Sequence, residues 1–80
     1  FNPSTDISFQ LTESGFVRLA IYNISGELVK VIADKHFQSG THHVQWTGIT
    51  EQGKAAPSGV YVYTLCTQDH KISRKMLLIK

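Results

Sequence analysis

A single cysteine, Cys66, stands in the 80 residues, and its isolation excludes an internal disulfide. The compartment stays open, because a secreted domain does not need one. No apolar run approaches the roughly 20 residues of a membrane-spanning helix, and no stretch has the layout of a signal peptide. No window carries a helical hydrophobic period. Charge of one sign is also scarce: 8 basic and 6 acidic side chains leave a formal charge of +2. Arg18, Lys30, Lys35 and Lys54 are scattered, and only Lys71, Arg74 and Lys75 lie close together. A surface that neutralised several phosphates would need a denser basic stripe, preferably interleaved with aromatic rings, so nucleic-acid binding is not indicated.

What remains is 41% hydrophobic and 18% charged, the composition of one small domain over residues 1–80. A chain this short buries only about 60–65% of the surface it exposes when unfolded, so its stability must come from a compact two-layer arrangement. It begins at Phe1 rather than methionine and reads as a segment of a longer protein, with any export signal outside it.

Taken in order, the chain is a series of strand patterns between turn residues. Phe1-Asn2-Pro3-Ser4 is an opening turn, since proline biases the residue before it towards extended geometry. Ile7, Phe9 and Leu11 alternate with polar residues, which puts one apolar face on a first strand. After the turn Glu13-Ser14-Gly15, Val17, Leu19 and Ile21 alternate with Arg18, Ala20 and Tyr22. Ser25-Gly26 then reverses the chain into Leu28-Val29-Lys30-Val31-Ile32. A helix over Leu28 to Ala33 is the rival there, but β-branched residues fill three of the six positions and favour a strand. Asp34 to Gly40 reads as a polar loop whose Phe37 folds back onto the core edge. In Thr41 to Thr47, alternation places His42, Val44 and Trp46 on one face, with Trp46 the core anchor, and Thr41, His43, Gln45 and Thr47 on the other. Gly48 to Gly59 is the longest break. Six or seven short strands about ten residues apart predict an all-β fold, a small Ig-like β-sandwich of about seven antiparallel strands.

The chain closes with a hairpin, Ser58 to Leu65 and Lys71 to Lys80, reversed at Gln68-Asp69-His70. Tyr61, Tyr63 and Leu65 should point inward, leaving Val60, Val62 and Cys66 outward, where a two-layer sandwich has no interior for them. Met76-Leu77-Leu78-Ile79 has the same apolar excess. Exposed apolar positions flanked by cations predict docking of a partner, by strand addition at an open edge; a bulge or a loop covering that face is the competing explanation. The predicted partner-recognition set is Val60, Val62, Lys71, Arg74, Lys75, Met76, Leu77 and Lys80.

Candidates for chemistry are few. Adjacent strand residues His42 and His43 leave opposite faces and cannot share one ion, so a zinc site would need His36 or His70 and a carboxylate to converge by folding. Cys66 is a nucleophile only beside a histidine and an orienting group, and its strand position fits a small hydrophobe better. Asp6, Asp34, Asp69, Glu13, Glu27 and Glu51 sit in or near turns, without the pairing that would split them into acid and base. The glycines form no phosphate cradle, because there is no helix to follow one. No catalytic, cofactor or metal residue is predicted, which leaves a binding, targeting or structural module.

Certain words in the chain go further. Phe1-Asn2-Pro3-Ser4-Thr5 with Ile7 and Phe9, Val17-Arg18-Leu19 leading to Ile21-Tyr22-Asn23 and Gly26, and Gly40-Thr41-His42 before Val44 and Trp46 come first. Gly48, Gly53, Ser58-Gly59-Val60-Tyr61 with Tyr63 and Leu65, and Lys75-Met76 with Leu78 and Lys80 follow. Together they resemble the type A C-terminal sorting domain of the type IX secretion system, whose sister family is the Ig-like domain of the flagellar hook-capping protein. The resemblance implies a label that catalyses nothing and binds no cofactor. It would be a monomer at the end of a secreted protein, read in the periplasm by the outer-membrane secretion machinery and its processing protease, and carried to the cell surface.

Two other functions stay open: a structural assembly module of the hook-cap type, and a carbohydrate-binding sandwich using Tyr22, Phe37 and Tyr63. The chain also departs from the sorting pattern. Where that family has Trp-Asp-Gly-x-Asp-x-x-Gly, this chain has Trp46-Thr47-Gly48-Ile49-Thr50-Glu51-Gln52-Gly53. Threonine keeps the side-chain-to-backbone turn bond but removes the carboxylates that a cation would need.

Overall fold

The computed structural model describes residues 4–79; most of the expected opening turn, and Lys80 of the recognition set, lie outside them. Six strands follow one another: β1 (Thr5–Leu11), β2 (Gly15–Asn23), β3 (Leu28–Phe37), β4 (Gly40–Trp46), β5 (Gly59–Cys66) and β6 (Lys71–Leu78). They form two antiparallel sheets, one of order β1-β4 and one of order β3-β2-β5-β6. The all-β sandwich is as expected, with six strands instead of about seven. The segment read as a polar loop from Asp34 is strand as far as Phe37. Its polar residues are tolerated because Arg18 pairs with Asp34 and Phe16 with His36 across the ladder, where water reaches the side chains.

Period-two alternation places the core. Ile7 and Phe9 from β1, Val17, Leu19 and Ile21 from β2, Trp46 from β4, Tyr61 and Leu65 from β5 and Leu78 from β6 are buried in one cluster with Ala56. Phe37 packs against its rim, as predicted. The Trp46 indole donates to the carbonyl of Ile49 at 3.0 Å and meets the Tyr61 ring edge-on at 5.1 Å. The Tyr61 hydroxyl donates back to the carbonyl of Pro57 at 2.6 Å, the tyrosine-corner arrangement of Ig-like sandwiches. Two aromatic side chains thus tie both ends of the loop between β4 and β5 to the core they fill.

Turn chemistry sets the registers. Asn23 closes the β2–β3 reversal: its side-chain oxygen accepts the amides of Ser25 at 3.0 Å and Glu27 at 2.9 Å, and its amide donates to the Glu27 carboxylate at 2.9 Å. Gly26 takes φ 85°, a left-handed value that favours glycine. At the β5–β6 reversal the Thr67 hydroxyl accepts the amide of His70 at 3.0 Å.

The loop after Trp46 keeps its fold without the two carboxylates. Thr50 accepts the amide of Lys54 through its hydroxyl at 3.2 Å, and the Thr50 amide donates to the Lys54 carbonyl at 2.8 Å. Glu51 then reaches across to β3. Its amide donates to the Val29 carbonyl at 2.9 Å, and its carboxylate accepts the Val31 amide at 2.6 Å. The loop therefore straps part of the free edge of β3, next to irregularities in the β2–β3 register.

Candidate functional site

The expected recognition set divides according to the pleat. On β5 and β6, Cys66 pairs with Lys71, Thr64 with Ser73, Val62 with Lys75 and Val60 with Leu77, and these pairs face away from the core. Leu65 with Ile72, Tyr63 with Arg74 and Tyr61 with Met76 share the opposite face. Met76 is half-buried and packs on the core, so it is a packing residue and not part of the outward set. Leu78 is 1% exposed while its neighbour Leu77 is 56% exposed, and this alternation resolves half of the apolar excess at the chain end.

The outward half is real surface. Val60 is 44% exposed, and Val62 is half-buried. Lys71 and Lys75 on this face, and Arg74 on the opposite one, are exposed and have no carboxylate partner among the described residues. Pairing brings in residues that the hairpin alone does not reveal: Tyr22 lies opposite both Val62 and Leu28, which is 47% exposed. An apolar stripe thus runs from Leu28 through Tyr22 to Val62, with Val60 and Leu77 beside it and Lys75 at its end. Tyr22 was legible as outward from its alternation with Ile21, but its place beside Val62 depends on a β2–β5 pairing between segments about forty residues apart.

Further along the outer face the surface is closed. The Arg18 guanidinium donates to the Tyr22 hydroxyl at 3.3 Å. On one strand face, residues four apart flank the residue between them, and Ala20 beneath this bridge is 0% exposed. The hydrogen bond to Tyr22 is the leading cause that raises the pKa of Arg18. Beside it, buried Thr64 bonds Ser73 through their hydroxyls at 3.1 Å. Side chains of the sheet itself, rather than a covering loop, shelter this half of the face.

The remaining polar candidates have structural partners. The His42 ring lies tilted against Phe9 at 5.4 Å and edge-on to Phe37 at 4.9 Å, and its Nε2 lies 2.6 Å from the Gln38 carbonyl. His43 leaves the opposite face, as expected, and its Nδ1 meets the Ser8 hydroxyl at 2.8 Å. Among the described residues no three His, Cys, Asp or Glu side chains converge as metal ligands would. The three rings proposed as a carbohydrate platform do not share a surface: Phe37 and Tyr63 pack on the core, and Tyr22 stands on the outer face. An open groove of about 290 Å³ between the β1–β2 and β5–β6 turns is lined by Glu13, Phe16, Asp69, His70 and Ile72, among others.

No curated protein matches the chain. Among solved structures, FlgD from P. aeruginosa superposes with a TM-score of 0.74 at 21% identity over 94% of this chain. The chain spans 59% of that FlgD chain, and at this identity the likeness is one of fold. The model of the FlgD Ig-like domain matches residues 1–70. This match overturns the sorting function expected from the resemblance to the type IX secretion domain. All of the words that suggested sorting except the last, Lys75-Met76 with Leu78 and Lys80, lie within the matched residues. The chain belongs to the FlgD Ig-like domain family.

Proposed function

We propose that this domain is a non-catalytic structural module of the flagellar hook-cap type, which contributes protein contacts to an assembly. The observation that carries this is the match of the FlgD Ig-like domain over residues 1–70. Its chemistry is consistent with such a role. The histidines at 42 and 43 are engaged in packing and hydrogen bonding, and Cys66 is a half-buried strand residue. The outer face of the four-stranded sheet offers an apolar stripe with a cationic margin, as protein-contact surfaces do.

The test is genetic and structural. In the source organism, residues 5–78 are deleted in frame from the full-length gene, and separately Val62→Ser and Leu77→Thr are combined. Hooks are counted by electron microscopy of isolated flagella. Loss of hooks on deletion, with reduced numbers in the double variant, supports the module. Normal hooks after the deletion would overturn it.

A further inference from the structure

The four-stranded sheet has two edges that differ in kind. The edge formed by β3 is strapped by Glu51, which exchanges two hydrogen bonds with its backbone. The edge formed by β6 has no such cover: β1 of the other sheet comes near it, but among the described residues every backbone ladder bond of β6 is made to β5. In an antiparallel ladder alternate residues direct their N–H and C=O groups away from the neighbouring strand. β6 therefore presents a row of unpaired donors and acceptors along eight residues.

Charge decides what suits that row. Lys71, Arg74 and Lys75 are exposed and have no carboxylate partner among the described residues, and the segment 70–79 contains no acidic residue. A second copy is a poor occupant. Antiparallel pairing of β6 with itself over its full length sets Arg74 against Lys75, and like charges directly opposite destabilise a ladder. The lysines that discourage self-association at the same time favour a partner of opposite sign. Ile72 and Leu77 are 42% and 56% exposed on opposite faces, so each face also has an apolar position to fill.

We propose that the outer edge of β6 receives an extended acidic segment of a partner protein as a fifth strand, with carboxylates opposite Lys71, Arg74 and Lys75 and apolar residues opposite Ile72 and Leu77. This rests on the domain being a protein-contact module and specifies the partner's chemistry. Backbone bonds supply the docking and the cations select the sequence.

The probe is a capped peptide, Thr-Val-Thr-Glu-Glu-Thr-Val-Glu, titrated into the isotope-labelled 80-residue chain at low salt, with its Glu-to-Lys counterpart as control. The expected result is binding of the acidic peptide alone, with new protection from amide exchange at alternate residues of Lys71–Leu78. In the double variant K71E/K75E the preference should reverse, and the acidic peptide should bind roughly tenfold more weakly or worse. Three results would each overturn strand addition: no binding of the acidic peptide, equal binding of both peptides, or binding without alternate-residue protection. Normal hook assembly by the K71E/K75E full-length protein would remove this edge from the assembly while leaving the module's structural role to the deletion experiment.

Discussion

The carboxylate of Glu51 accepts the backbone amide of Val31 at 2.6 Å, while the amide of the same residue donates to the Val29 carbonyl at 2.9 Å. A loop residue thus behaves as a short continuation of the sheet. Glu51→Ala should cost about 1–2 kcal/mol, because a charge-assisted bond is lost at an exposed site where water partly replaces it. Urea denaturation measures the loss. Amide exchange at Val31 should quicken in the variant while exchange in β5 keeps its wild-type pattern; unchanged exchange at Val31 would mean that the strap is not maintained in solution.

Leu77 and Leu78 are adjacent, and the pleat sends them to opposite faces. Leu78→Ala should cost about 2–5 kcal/mol, since it empties a fully buried site. Leu77→Ala should change stability by less than about 0.5 kcal/mol. Comparable losses from the two would show that the register of β6 is not the one described.

Ala20 points outward yet is completely buried under the Arg18–Tyr22 bridge. Ala20→Leu should therefore behave as overpacking, with a loss of about 1–3 kcal/mol, whereas Ile24→Ala in the exposed turn should lie within about 0.5 kcal/mol of the wild type. Thermal denaturation of the two variants compares them directly. A neutral Ala20→Leu would show that the bridge opens readily.

Trp46→Ala should remove about 3–5 kcal/mol. A domain of this length holds only about 4–12 kcal/mol in all, so the variant should lose a large share of its stability, and circular dichroism should show a much earlier urea midpoint. Tyr61→Phe, which deletes only the bond to Pro57, should cost about 1 kcal/mol and leave a folded domain with an earlier urea midpoint.

Much of this was legible along the chain. Alternation in Ile7 to Leu11, Val17 to Ile21 and Thr41 to Thr47 assigned strands and faces, because successive side chains on a pleated strand leave opposite sides. Trp46 as anchor and Tyr61, Tyr63 and Leu65 as inward residues followed from the same rule. The extent of β3 was not legible. Asp34, Lys35 and His36 look like a loop, and they are held extended only by pairing with β2.

Local patterning, then, determined the all-β class, most strand faces and the cationic outward side of the closing hairpin, since these depend on neighbours within a few residues. The tertiary structure decided which strands sit side by side. Only the β2–β5 pairing sets Tyr22 beside Val62 and completes the apolar stripe; only the loop reaching back to Val31 closes part of one sheet edge, while no comparable strap covers β6 among the described residues. Such relations join residues twenty to forty positions apart, and they are decided by how the whole sandwich closes around its core rather than by any short stretch of sequence.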